Sequence, residues 1–193
     1  MSLPVSLYYE TEIRPISDTS AKSQQSSIFF TEDTTLRLAQ LCEGYVACLV
    51  VPSIAVYAYS QGRHLVLFEK DNRFRSKKEM KYVKYDLNLG LNPLIRRRYE
   101  HKFDTVICDP PFNIKLDCLA KDIKELIKLN AVSKAYVVYP KNREGLLCQA
   151  MERLGFMHQS FDFGLVEYIK PPKLVHIEGK DAIRVYQFQI VKD

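Results

Sequence analysis

The stretch Phe103-Asp104-Thr105-Val106-Ile107-Cys108-Asp109-Pro110-Pro111-Phe112 constrains this chain more than any other. A run of β-favouring residues stopped by Asp-Pro-Pro reads as a parallel strand, buried on both faces and ending at the carboxyl edge of a sheet. Open α/β folds place their ligands at that edge. The two prolines fix φ and carry no N–H, so carbonyls there can face a site instead of a helix. The Asp109 carboxylate and such a carbonyl can both accept hydrogen bonds from an amine, and Phe112 offers a ring face for stacking or a cation–π contact. A corner of this kind orients a nitrogen lone pair and creates no hydroxyl or thiol nucleophile. The plain alternative is a Pro-rich turn after a strand.

The rest of the chain alternates helical and extended patterns. Thr31, Asp33 and the run Leu36, Leu38, Ala39, Leu41 predict a capped helix with an acid in its first turn. Residues 45–51 are a continuous apolar run expected to form the central strand, and Pro52-Ser53 follow it. No G-x-G-x-x-G occurs in the sequence, which removes the usual glycine-rich nucleotide loop. Residues 53–60 have room for a short helix before Gly62, and residues 64–69 form the next strand, closing on Glu69 and Asp71. A carboxylate about twenty residues past the first turn is where a ribose diol is held in nucleotide-binding sheets. Glu69 is the first candidate and Asp71 the second; acids exposed at a strand end are the plain alternative.

Residues 81–86 alternate as an edge-side strand, and residues 93–100 form a basic helix leading into the central stretch. Beyond it, residues 116–129 show apolar residues at helical spacing with charges between them. Residues 135–139 are a strand stopped by Pro140, and residues 143–154 an amphipathic helix ending at Gly155. Residues 156–163 and 183–191 both alternate and are expected to pair antiparallel. The whole is an α/β, doubly wound pattern.

A chain of 193 residues is one domain by length. Residues 1–27, polar and without a period around 17–25, are expected to be flexible, and residues 28–193 to form the domain. The longest apolar run, residues 46–58, is interrupted by Pro52 and Ser53 and is too short to span a membrane. The first ten residues lack a basic head and an apolar core, so the cytoplasm is expected, with the nucleus as the alternative. Five cysteines without a Cys-x-x-Cys pair and four scattered histidines give neither a disulfide framework nor metal-ligand spacing. No metal is expected, and nothing signals an oligomeric state. The net charge of +5 suits an acidic partner without requiring one. Its densest cluster, Arg96-Arg97-Arg98 with His101 and Lys102, reads either as a solvated face or as a partner patch. The long basic connection over residues 166–182 reads as a mobile loop or as the substrate-choosing element.

Asp109-Pro110-Pro111-Phe112 after an apolar strand resembles the catalytic signature of amino-methyltransferases that act on adenine N6 and similar nitrogens. Residues 29–36, 48–53, 68–74 and 85–88 join it in the order of the small eukaryotic N6-adenine-methyltransferase-like family, whose members include the lysine methyltransferase of translation elongation factor 1A. The likeness covers residues 28–115. It implies a Rossmann-like class I S-adenosylmethionine-dependent methyltransferase: a mostly parallel doubly wound sheet with an antiparallel C-terminal strand, and S-adenosylmethionine as cofactor. It implies Asp109, Pro110, Pro111 and Phe112 as the catalytic corner. It further implies Phe30 and Thr31 under the methionine part of the donor, Pro52 and Ser53 as the donor turn, Glu69 or Asp71 at the ribose, and Asp86 beside the adenine amino group. The implied acceptor is a protein lysine, as on elongation factor 1A. Adenine N6 in RNA or DNA is the alternative; it must be flipped or single-stranded to enter, and the modest charge and lack of a zinc knuckle speak against it. A catalytically inactive partner that keeps the fold is a third reading, favoured by the glycine-free turn.

Overall fold

The computed structural model describes residues 30–76, 79–169 and 183–191. The segment 1–27 and most of the basic connection, residues 170–182, lie outside the described residues. Helix α1 (Glu32–Gln40) begins because Thr31 caps it: Thr31 Oγ1 accepts the Thr34 N–H at 3.4 Å, and Glu32 and Asp33 complement the dipole. Then follow β1 (Tyr45–Leu49), α2 (Pro52–Ser60), β2 (His64–Glu69), β3 (Lys81–Lys84), α3 (Pro93–Tyr99), β4 (Thr105–Cys108), α4 (Leu116–Leu126), β5 (Lys134–Pro140), α5 (Glu144–Glu152), β6 (Phe156–Gln159) and β7 (Ile183–Ile190).

The described strands form one sheet in the order β3-β2-β1-β4-β5-β7-β6. Strands β1 to β5 pair parallel, and β7 runs antiparallel between β5 and β6. Both faces are covered, which explains why β1 and β4 read as continuous apolar runs. Successive residues alternate: Ala47 and Leu49 pack under α3, α4 and α5, while Val46 and Cys48 pack under α1 and α2. The chain builds outward from β1 to β3 and then returns to β4. That reversal is the switch point at which open α/β sheets bind ligands. Register aligns Leu49 with both Phe68 and Cys108, so the β1–α2 turn, Glu69 and Asp109 share one edge.

At the opposite edge, Asp104 holds the two central strands together. Its Oδ2 accepts the Tyr45 N–H at 2.9 Å and its Oδ1 the Lys128 ammonium at 2.6 Å. Gly44, at φ +68°, comes so close to Asp104 that a Cβ would sit 2.7 Å from Oδ2; only glycine fits both the conformation and the space.

Three expectations are corrected. The strand expected over 156–163 ends at Gln159, because Phe161 and Phe163 leave the sheet and pack elsewhere: Phe161 against Tyr136 at 5.5 Å, and Phe163 under the Arg37 guanidinium at 4.6 Å. Their alternation marked a half-buried segment and not a strand. Strand β5 runs through Pro140, which pairs with Ile183 as its last residue, a place where a missing N–H interrupts nothing further along the ladder. Helix α4 stops at Leu126 because Ile127 turns extended and bridges Phe103.

Candidate active site

Two groups of residues line the carboxyl edge. The first belongs to β1, β2 and the loops after β2 and β3. After β1, Val50 adopts φ +57°, a left-handed conformation that a β-branched residue takes only under strain. Its N–H donates to the Phe68 carbonyl at 2.9 Å, which holds the turn. Pro52 opens α2 at its first position, where its missing N–H costs nothing, and both Pro52 and Ser53 are buried.

Glu69 ends β2 with its side chain turned inward, 5% exposed. Its Oε1 accepts the N–H groups of Lys70 at 2.8 Å and Asp71 at 3.0 Å. Burial pushes the carboxyl above its usual range, and the two amide bonds oppose that rise. No partner for Oε2 is present among the described residues. Asp71 is engaged by the Arg73 guanidinium, with Nε at 2.8 Å from Oδ2, and its Oδ1 also accepts the Arg73 N–H at 3.0 Å. Asp86 forms a tight turn in which Oδ1 accepts the Asn88 N–H at 3.0 Å and the Asn88 Nδ2 at 3.2 Å.

The loop carrying Asp86 is tied down by Asp122 of α4. Asp122 Oδ2 accepts the Tyr85 hydroxyl at 2.6 Å and Oδ1 the Leu91 N–H at 3.2 Å. The sequence pattern counts Asp122 among the charges between apolar positions; the structure buries it at 4% exposed.

The second group surrounds the Asp-Pro-Pro-Phe corner. Asp109 follows β4 directly and is partly buried, and burial pushes its carboxyl up to about 7 against the opposing effect of a hydrogen bond from Tyr168. That hydroxyl donates to Oδ1 at 2.9 Å. Pro110 is buried and Pro111 exposed. The Phe112 carbonyl accepts the Tyr139 hydroxyl at 3.2 Å and an Arg143 Nη1 at 2.5 Å, and its ring meets Tyr139 edge-on at 5.9 Å. Phe30, fully buried, stacks on the Tyr168 ring at 4.7 Å, while Thr31 donates its N–H to the Glu167 carbonyl at 2.9 Å.

Phe30, Thr31 and Asp109 are therefore joined through residues 167–168, and Phe112 is held by Tyr139 and Arg143. The carboxylates of Glu69, Asp71 and Asp86 each accept hydrogen bonds from groups within two residues of their own position. Tyr168, Tyr139, Arg143 and Asp122 were not legible in the sequence. Tyr168 carries no local signal, since its partner Asp109 lies 59 residues away. A further grouping was hidden by its spacing: the ligating atoms of Glu144, Cys148 and His158, on α5 and β6, lie within 4.8 Å of one another.

A family model described as "Probable N6-adenine methyltransferase" matches residues 21–169. EEF1A lysine methyltransferase 1 of Homo sapiens is 34% identical over 111 residues, which cover 51% of this chain and 49% of that protein. The chain thus spans about half the length of the curated relatives it matches. Among solved structures, the branched-chain polyamine synthase from Thermus thermophilus, in complex with N4-aminopropylspermidine and 5'-methylthioadenosine, aligns with a TM-score of 0.64 at 16% identity, covering 92% of this chain and 60% of that one. The T. thermophilus 16S rRNA N2 G1207 methyltransferase, in complex with AdoMet and guanosine, aligns at 0.51 with 10% identity, covering 83% and 39%. At these identities the structural likeness concerns the fold alone.

Proposed function

The chain belongs to the N6-adenine-methyltransferase-like family and has a Rossmann-like class I methyltransferase fold, and on that premise we propose that it is an S-adenosylmethionine-dependent N-methyltransferase whose acceptor is a protein lysine of the elongation factor 1A type. The observation that carries this reading is the placement of Asp109, partly buried directly after β4 at the carboxyl edge, with its Oδ1 held by the Tyr168 hydroxyl at 2.9 Å. A carboxyl poised near 7 at a sheet edge can both hold an amine N–H and take a proton from an ammonium. A lysine acceptor must lose that proton before its lone pair is free, whereas adenine N6 is neutral from the start. The curated relatives carry the name of a lysine methyltransferase, which agrees with this choice.

The residues fit the donor. Glu69 is a buried carboxylate whose Oε1 is already satisfied and whose Oε2, among the described residues, has no partner; a ribose hydroxyl would satisfy it. Asp86 would hold the adenine amino group, the Pro52-Ser53 turn would back the donor, and Phe30 and Thr31 would lie under its methionine part, with Asp71 held in reserve by Arg73. When bound, S-adenosylmethionine supplies a methyl group on a sulfonium sulfur. Asp109 and the Pro110 carbonyl orient the acceptor nitrogen, Asp109 takes the proton that a lysine must shed, and the Phe112 ring walls the nitrogen in. Positioning of reacting groups is worth roughly 7–11 kcal/mol in favourable cases, so nothing beyond a tuned carboxyl is needed.

The test is transfer from labelled S-adenosylmethionine into a lysate divided between ribonuclease and protease treatment. Label that survives ribonuclease and is lost to protease supports a protein acceptor. The reverse pattern would move the assignment to adenine N6. No transfer, together with no saturable donor binding by calorimetry, would leave the inactive-partner reading standing.

A further inference from the structure

We propose that Tyr168 is a positioning residue for Asp109, and that residues 160–168 form a strap whose purpose is to deliver its hydroxyl to that carboxylate. The inference rests on the methyltransferase reading and deepens it at the acceptor corner.

The strap leaves β6 after Gln159 and crosses the face covered by α1 and α2. It is anchored in three ways. The Arg37 guanidinium donates Nη1 to the Phe163 carbonyl at 2.7 Å and Nη2 to the Leu165 carbonyl, and lies over the Phe163 ring. Thr34 Oγ1 accepts the Glu167 N–H at 3.1 Å, and Thr31 donates to the Glu167 carbonyl at 2.9 Å. Phe30 and Tyr168 form an antiparallel bridge with their rings stacked at 4.7 Å. So many restraints on one short segment fix where its last described side chains point. The hydroxyl of Tyr168 ends 2.9 Å from Asp109 Oδ1.

A hydrogen bond to one carboxylate oxygen fixes the rotation of the group and leaves Oδ2 for the incoming nitrogen. It also favours the charged form, in opposition to burial. Among the described residues, the titratable groups facing Asp109 are the Tyr168 hydroxyl and the adjoining Cys108 thiol. Burial pushes both far above neutrality, so neither brings a charge near pH 7. Tyr168 is then the group that keeps Asp109 able to accept a proton at neutral pH.

The experiment uses Tyr168→Phe, which keeps the ring on Phe30 and removes only the hydroxyl. Two quantities are read: the pH dependence of kcat, and the titration midpoint of the Asp109 carboxyl by 13C NMR in the free protein, with its resonance assigned by Asp109→Asn. Loss of the hydrogen bond is expected to raise both by about one pH unit, so that kcat at pH 7 falls about five-fold and recovers at pH 9 with donor KM unchanged. Arg37→Ala, which loosens the strap without touching Asp109, should shift both in the same direction by less. A Tyr168→Phe titration superimposable on that of the parent overturns the proposal, as does a kcat lowered equally at every pH. Transfer by the parent with an unmoved midpoint would remove this role and keep the methyltransferase reading. A moved midpoint with no transfer by the parent would do the opposite.

Discussion

The two halves of the carboxyl edge are built by different means. At the donor half, acids accept hydrogen bonds from their own neighbours: Glu69 Oε1 from the next two amides, Asp71 from Arg73, Asp86 from Asn88. At the acceptor corner, Asp109 is bonded by a tyrosine 59 residues away, and the Phe112 carbonyl by side chains 27 and 31 residues away. The turns of the donor half form once the strands are in place, and Asp122 of α4 ties down the loop that carries Asp86. The acceptor corner exists only when β4, β5, the strap and the segment before α1 have all come together. The donor carboxylates are thus bonded locally, with one long-range tie from Asp122 to their loop, while the groups of the corner are themselves bonded across long sequence separations.

The largest expected effect separates the halves outright. Asp109→Ala should lower kcat on the order of 10²–10⁴-fold while donor affinity by calorimetry stays within a few-fold. Equal loss of both would mean that the corner also supports the donor half. Next is stability. Asp109 is raised to about 7 from a carboxylate value near 4, so the folded protein binds its proton more tightly than the unfolded chain does. Its contribution to stability is full below about pH 4 and is lost as the pH rises through about 7. Asp109→Asn should therefore gain about 2 kcal/mol in denaturant unfolding at pH 8, below a ceiling of about 4 kcal/mol, and nothing at pH 4. Glu69→Gln should show the same trend more weakly, because two amide bonds already compensate its burial.

Smaller effects sharpen the donor side. Glu69→Ala should weaken donor binding about ten- to a hundred-fold, the value of one or two charge-assisted hydrogen bonds, and leave kcat at saturating donor within a few-fold. Asp71→Asn should do much less; a comparable loss would make Asp71 the ribose ligand. The smallest effect concerns Val50. Val50→Gly releases left-handed strain of about 1–2 kcal/mol but adds chain entropy and removes packing, so unfolding should stay within about 1 kcal/mol of the parent. The same change at Val46, buried mid-strand in the extended conformation, should cost several times more.

What was legible follows the same division. The apolar run of β4 ended by Asp-Pro-Pro, the inward carboxylate at the end of β2, the Thr31 cap and the antiparallel last strand all rest on patterns a few residues long. Burial on both faces, a turn residue or a cap leaves its mark where it acts. The misread segments had a correct local pattern and another use: Phe161 and Phe163 alternate because one side of an extended segment is covered, not because they pair in the sheet.

By itself the sequence determined which apolar runs are buried, the order of helices and strands, and that an acid, two prolines and a ring stand at a sheet edge, because hydrophobic periodicity and backbone stereochemistry are properties of neighbouring residues. Only the tertiary structure decided that Tyr168 meets Asp109, that Asp122 is buried under Tyr85 and Leu91, and that Arg37 holds the strap. Periodicity records that a face is covered and not which face covers it. A partner many tens of residues away is chosen by packing, and packing is fixed only once the whole sheet has formed.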